Sequence, residues 1–338
     1  MRAIADIDIG NRDAALQLLM AKGVDLIPLP GHGETFTRWK ILAAVAGRDL
    51  SLVKLFEGHT DALAILAELG TVIDDERRTW GVWCAEPPDA RVTLSEVNGE
   101  TGAVTLSGRK AWCSGARDLS HALVSCWNPS GVPCLAMVDL RQAAVLITDE
   151  GWHAVGMAAS GSVDVRFTNA IAKQVGKPNA YVHRPGFWHG GAGIAACWYG
   201  ASCGLAERLR SLLHKQMVTA TEAAPGADPH RLAQLGDIDI ALRSAAAVLR
   251  DAAAQIDQYP LQDAMALALR TRLTVEATAS KVLALATRAL GAGPLCREPE
   301  FARAAADLPV FLRQSHAERD LAALGKTVAA ELENPWIL

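Results

Sequence analysis

The chain has 338 residues, half of them hydrophobic and 21% charged, with a formal net charge of −4. That apolar share builds a real core and excludes a disordered chain. The negative balance, with no basic block interleaved with aromatics, excludes a general nucleic-acid binder, and the length predicts two or three domains or one large one.

The N-terminus "MRAIADIDIGNRDAAL" has no long apolar region of the signal-peptide type. No run of roughly 18 apolar residues goes uninterrupted, so no membrane span is expected. The cysteines are Cys84, Cys113, Cys126, Cys134, Cys197, Cys203 and Cys296. They are scattered and form no CxxC pair, which points to neither a metal site nor a disulfide framework. A reducing cytoplasm is the expected compartment.

Residues 1–78 read as a helical zone. "RDAALQLLMAKG" (12–23) is rich in Ala and Leu with Gly23 as its stop, and residues 38–70 continue the pattern, broken near Gly47 and Gly58. Residues 79–178 change character. Short β-favouring runs flank a hairpin signal at Asn98-Gly99. In "SVDVRF" (162–167), Val163, Val165 and Phe167 alternate with polar residues. This zone reads as an antiparallel, barrel-like β-domain. Residues 179–338 return to helix. In 231–256, Leu235, Ile238, Leu242, Ala245, Leu249, Ala252 and Ile256 step by three and four, the seam of a bundle helix. Residues 261–290 predict a partner antiparallel to it, after a turn at "PGADP" (225–229). The fold class is α+β.

Helices, then a β-domain, then a bundle is an uncommon order, and five motifs give it meaning. "WCAEPPDA" (83–90) resembles the "TEPxAGSD" element of the acyl-CoA dehydrogenase family. "LSGRKAWCSGA" (106–116) resembles its "xxGxKxWITNG" segment. "GMAASGSVDVRFTNA" (156–170) resembles "xGxRxSxTxxVxFxxV", with Ser160 and Ser162 on the Ser and Thr positions. Residues 288–310 resemble "QxxGGxGxxxxxxxxRxxRDAR", and residues 49–70 the family's early helices. The resemblance implies an N-terminal helical domain, a middle β-domain and a C-terminal four-helix bundle. It also implies FAD as cofactor, an acyl-CoA substrate, and a homodimer or homotetramer. Trp112 would pack on the flavin ring and Ser114 would hydrogen-bond near its N5; Glu86, Arg288 and Gly291 would complete the cofactor site. The plain alternative for Trp112 is a core aromatic whose indole N–H meets a carbonyl.

Departures from the family are as informative. Its base is a glutamate, a carboxyl tuned to accept a proton near neutral pH. Here "FLRQSHAERD" (311–320) puts Ser315 on that position, with Arg313 one small shift away. A guanidinium stays protonated and a lone hydroxyl needs activation. The family's second location for the base falls near His189 or Gly190. His189 and His316 are thus the titratable groups nearest the two places, each with the alternative of a surface or capping role. Glu318 reads as a solvated helix charge. The family's "RxxFG" pyrophosphate element is absent from 219–232, where Arg231 is the only arginine, and its "AGSD" loop has become "PDAR" (88–91).

Three functions follow. The first is a flavoenzyme of the acyl-CoA dehydrogenase type with His316 or His189 as base. The second is a flavin-dependent monooxygenase on the same fold, which needs no glutamate. The third is a non-catalytic subunit pairing with an active relative. The stretch 186–204, with Gly190, Gly191, Gly193, Trp188 and Trp198, would line a pocket for a short or ring-containing acyl group, or else pack helix on helix.

Overall fold

A computed structural model describes residue 4 and residues 12–73, 77–97, 102–220 and 226–337. Among the described residues, the helices ahead of the strands include α1 (Arg12–Ala21), α2 (Thr35–Ala46) and α3 (Leu50–Glu68). Seven strands follow: β1 (Trp80–Trp83), β2 (Val92–Glu96), β3 (Ala103–Cys113), β4 (His121–Trp127), β5 (Pro133–Asp139), β6 (Val145–Ile147) and β7 (Val163–Gln174). A 3-10 turn, Ala158–Ser160, precedes the last of them. The remainder is helical: α4 (Ala180–His183), α5 (Gly186–Val218), α6 (Pro229–Gln258), α7 (Met265–Leu290), α8 (Ala292–Arg297), α9 (Pro299–Leu312) and α10 (Glu318–Ala329). The chain is mixed α+β with a helical C-terminal region. It forms two compact units, residues 1–29 with 51–187, and residues 30–50 with 188–338.

In the first unit, α1 buries Ala15, Leu16 and Leu19. Gly23 adopts φ +65° and its N–H donates to the Met20 carbonyl, the left-handed stop the sequence predicts. Gly47 ends α2, an element of the second unit, with φ −65° in the right-handed region, whereas α3 runs through Gly58 unbroken. One internal glycine costs about 1 kcal/mol. The neighbouring turns bury Leu55, Phe56, Ile65 and Leu66, each worth roughly 1.5–3 kcal/mol, so burial outweighs the break signal. Ala62, Ile65 and Leu66 of α3 pack with Trp80, Leu123, Leu135 and Val175 from the sheet region.

The strands run in the order β1-β4-β2-β3-β7-β5, with β6 on β7. β4 also pairs with β5, so β4, β2, β3, β7 and β5 close into a ring. Val163, Val165 and Phe167 are buried, as their alternation predicts. The expectation of a purely antiparallel domain needs correction. β1 runs parallel to β4, from Trp80 opposite His121 to Trp83 opposite Val124, and β2 meets β4 in parallel at Thr93 and Trp127. Alternation tells which face a side chain takes and says nothing of a neighbour's direction. The connection from β1 to β4 holds the whole β2–β3 pair, long enough for a parallel crossover. The hairpin signal Asn98-Gly99 lies outside the described residues; the flanking strands pair antiparallel up to Glu96 opposite Val104. Part of "PGADP" also lies outside them.

In the second unit, α6 buries Ile238, Ala245, Leu249, Ala252 and Ile256, with Leu235 and Leu242 half-buried. Lys281 reaches Asp237 at 2.5 Å, pairing the later half of α7 with the start of α6, as in an antiparallel hairpin. Asp257 caps α2 by accepting from the N–H groups of Gly33 and Thr35 and from the Thr35 hydroxyl. Gly193 and Gly200 of α5 serve packing. A Cβ on Gly200 would lie 2.1 Å from the Ala43 carbonyl oxygen, and one on Gly193 would lie 3.3 Å from Nε1 of Trp39. No helix among the described residues is long and apolar enough to cross a membrane. All seven cysteines are free thiols, and no metal-binding cluster occurs among the described residues.

Candidate active site

The stretch "KAWCSGA" sits where β3 leaves the sheet. The β3–β7 register pairs Lys110 with Val165 and Cys113 with Val163, so β3 holds one extra residue there. This is a bulge, and it re-aims a side chain. Trp112 takes φ +58°, a left-handed conformation rare for a bulky residue, and its side chain is 51% exposed. Such strain persists only where the surroundings hold it. They do here. The Ser114 N–H donates to the Trp112 carbonyl at 3.0 Å, and the Gly115 N–H donates to the Ser160 carbonyl at 2.8 Å. Gly115 has φ +69°, and a Cβ there would lie 2.6 Å from Leu55, so only glycine fits. The unit therefore presents an indole face at the end of β3 instead of burying it.

Beside it lies a chain of hydroxyls. Ser114 Oγ is 2.8 Å from Ser162 Oγ, which is 2.8 Å from Ser160 Oγ, which donates to the Met157 carbonyl at 2.8 Å. Ser160 and Ser162 are buried, whereas Ser114 is half-buried and ends the chain. The Cys113 thiol next door is buried, and that burial pushes its pKa far up, so it stays a thiol.

Glu86 is turned inward to Lys110. The fully buried Lys110 ammonium donates to Glu86 at 2.6 Å and to the Ser125 hydroxyl and carbonyl at 2.6 and 3.0 Å. Ser125 and the Trp127 indole N–H also donate to Glu86. Burial raises the Glu86 pKa, but these hydrogen bonds outweigh it and hold the carboxyl below its ordinary value.

The second unit carries the remaining predicted residues. His189 is buried near the start of α5, its ring about 3.4 Å from where a Cβ on Gly31 would sit. Ser315 is buried, and its hydroxyl accepts from the Ala317 N–H at 3.3 Å. His316 is 58% exposed, with Nδ1 3.5 Å from Asp320, whose other oxygen accepts the His316 N–H. Arg288 is exposed in the last turn of α7, and Gly291 ends that helix with φ +71°. Arg272 ties the two candidate base segments together, donating to the Gly191 carbonyl at 2.8 Å and the Gln314 carbonyl at 2.9 Å.

Two pairs escape a reading of the sequence. Glu276, buried on α7, receives Arg313 at 2.5 Å. Asp25 and His59, both buried, lie 3.4 Å apart across 34 residues of chain. Neither pair has a spacing signature, because each partner comes from a different element.

The mixed α+β chain with its helical C-terminal region has the acyl-CoA dehydrogenase-like fold. No family model matches the sequence. Among curated proteins it is similar to dibenzothiophene monooxygenase of Rhodococcus erythropolis, 26% identical over 75% of this chain and 67% of that protein. Among solved structures it is similar to FMN-bound TdsC from Paenibacillus sp. A11-2, with a TM-score of 0.80 at 18% identity, covering 96% of this chain and 92% of that one. It is also similar to methanesulfinate monooxygenase MsuC from Pseudomonas fluorescens, with a TM-score of 0.77 at 18% identity, covering 96% and 92%.

Proposed function

We propose that the chain is the oxygenase of a flavin-dependent monooxygenase that uses FMN and oxidises a small organosulfur or heteroaromatic molecule. The observation that carries this is the make-up of the base positions. Ser315 and His189 are buried there, His316 is exposed, and the nearby buried carboxylate Glu276 is held by Arg313. Removing an α-proton from a thioester needs a positioned base free to accept it, and Glu276 is already engaged by Arg313. Oxygen transfer has no such requirement. The similarity to dibenzothiophene monooxygenase, and to TdsC, also solved with FMN and indole, supports the same reading.

The residues present fit a flavin. An exposed indole held against its backbone preference, beside a half-buried hydroxyl, suits the face and edge of a flat heteroaromatic ring. Trp112 would stack on the ring and Ser114 would hold its edge. When bound and reduced, the flavin supplies the electrons that activate oxygen. FMN replaces FAD in this reading because the "RxxFG" element is missing and "PDAR" (88–91) lacks the glycine for phosphate approach. The reading includes a helical domain over 1–78, a β-domain over 79–178, a bundle over 179–338, and a cytoplasmic homodimer or homotetramer.

The test combines the protein with FMN, a flavin reductase, NADH and heavy-labelled oxygen gas over a panel of aromatic thioethers and indoles. Labelled product is expected, together with bound flavin that no acyl-CoA bleaches anaerobically. Bleaching by an acyl-CoA overturns the reading in favour of dehydrogenation.

A further inference from the structure

Two of the free thiols face each other across the β4–β5 hairpin. The antiparallel ladder runs from His121 opposite Asp139 to Trp127 opposite Pro133, and it sets Cys126 directly opposite Cys134. Opposite residues of a ladder stand on the same face of the sheet. The even-numbered pairs are the hydrogen-bonded ones. Beside the turn, the Asn128 N–H donates to the Val132 carbonyl at 3.0 Å, and at the far end the Leu140 N–H donates to the Ser120 carbonyl at 2.9 Å. Pro133, which has no N–H to give, falls on an odd pair. A hydrogen-bonded pair holds its Cα atoms about 5.5 Å apart, inside the roughly 4.4–6.8 Å span of disulfides. Its Cβ atoms stand about 5.5 Å apart, beyond the roughly 3.5–4.5 Å of a relaxed disulfide, so closure draws the strands together. Both thiols are buried, Cys126 at 0% exposure and Cys134 at 4%. The Cys126 S–H donates to the Cys134 carbonyl and the Cys134 S–H to the Val132 carbonyl, both at 3.7 Å. Burial first, then the neighbouring Cys134, push the Cys126 thiol up to about 12. Burial raises Cys134 too, and the Asn128 backbone offsets part of that. Cys134, second residue of β5 and beside the turn, is thus the more reactive of the two.

We propose that Cys126 and Cys134 form a redox-modification site, which a peroxide closes into a reversible cross-strand disulfide. The Cys134 thiolate, its proton lost to water, attacks one oxygen of hydrogen peroxide. The O–O bond breaks, hydroxide leaves and is protonated to water, and Cys134 becomes a sulfenic acid. The Cys126 sulfur then attacks the Cys134 sulfur. The S–S bond forms, the S–O bond breaks, and the hydroxyl leaves as water with the Cys126 proton. The two thiols lose two electrons and the peroxide gains them. A disulfide that closes by drawing two strands together is strained, and a strained disulfide is the easily reduced kind. Cys126 lies between Ser125 and Trp127, whose side chains both donate to Glu86, so closure also pulls on the Lys110–Glu86 pair. No step depends on a flavin, so this proposal and the functional one stand or fall separately.

The experiment exposes the full chain to hydrogen peroxide, alkylates the remaining thiols in denaturant and maps the peptides without reduction. Cys296 is exposed and competes for peroxide, so Cys296→Ser is run beside the wild type. A Cys126–Cys134 bond is expected in both, with the loss of two alkylatable thiols at this site. Excess reduced glutathione is expected to restore both thiols. In Cys126→Ala, oxidation is expected to stop at a sulfenic acid on Cys134, trapped by dimedone. In Cys134→Ala, Cys126 is expected to stay alkylatable. Should an alanine variant misfold, the maps of the wild type and Cys296→Ser decide the question alone. Cys126 and Cys134 both alkylated in full, once peroxide has oxidised Cys296 in the wild type, overturn the proposal. A bond from Cys126 to Cys84, the other thiol near enough to bear on it, overturns it as well. A Cys126–Cys134 bond that glutathione fails to reopen overturns its assignment as a strained, reversible one.

Discussion

Lys110 carries a full charge with 0% side-chain exposure, and its three acceptors come from Glu86 and Ser125. Such a pair is costly to break, because the remaining charge loses its partner. Glu86 keeps 35% of its side chain in water, which screens part of the effect. Lys110→Ala is therefore expected to cost about 3 kcal/mol, the low end for a buried pair, measured by urea unfolding. The Glu86 carboxyl is pushed up by burial but held lower overall by hydrogen bonds from Lys110, Ser125 and Trp127. A depressed folded pKa stabilises above the unfolded value, and that contribution is lost as pH falls through the folded one. The melting temperature of the wild type should thus drop below pH 4.5, the ordinary glutamate value. Glu86→Gln should flatten that acid limb; an unchanged limb would assign the loss to other carboxylates. The sequence shows Glu86 and Lys110 as motif positions. Their mutual contact, 24 residues apart in the chain, is visible only once β1 and β3 lie in one sheet.

At the scale of elements, the glycines of α5 separate two roles that the sequence leaves mixed. A Cβ at Gly200 collides with the α2 backbone, whereas one at Gly191 meets nothing within 4 Å. Gly200→Ala is expected to destabilise by about 2 kcal/mol through overpacking. Gly191→Ala is expected to stabilise by up to about 1 kcal/mol through helix propensity. Thermal melts of the two variants should move in opposite directions; a shared direction would mean that α5 meets different neighbours. The β3 end teaches a similar lesson. Small residues after Trp112 signal a turn in the sequence, but the bulge that exposes the indole is a property of the β3–β7 register. His189 and His316 both fall near the family's base positions in the sequence. The packing then separated them, one into the buried interior of a helical unit and one onto a helix start facing water.

At the scale of the whole molecule, the proposed flavin reading carries a prediction about cofactor size. The sequence lacks the family's arginine element and the glycine of its phosphate loop, so in that reading the adenylate half of FAD adds little binding. FMN is expected to bind at least as tightly as FAD in a competitive titration. FAD binding more than about tenfold tighter, some 1.4 kcal/mol, would show that other residues hold the adenylate.

By itself, the sequence determined the succession of helix, strand and helix, the buried faces of β7 and α6, and the stretch around Trp112. These rest on periods of two and 3.6 residues and on local turn chemistry, which a short window contains. Only the tertiary structure decided the parallel placing of β1 on β4 and the grouping of residues 30–50 with 188–338. It alone decided the burial of Lys110 on Glu86 and the meeting of Ser114, Ser162 and Ser160 in one run of hydroxyls. Each of these depends on pairing residues far apart in the chain, and a local pattern carries no information about which distant partner a side chain will meet.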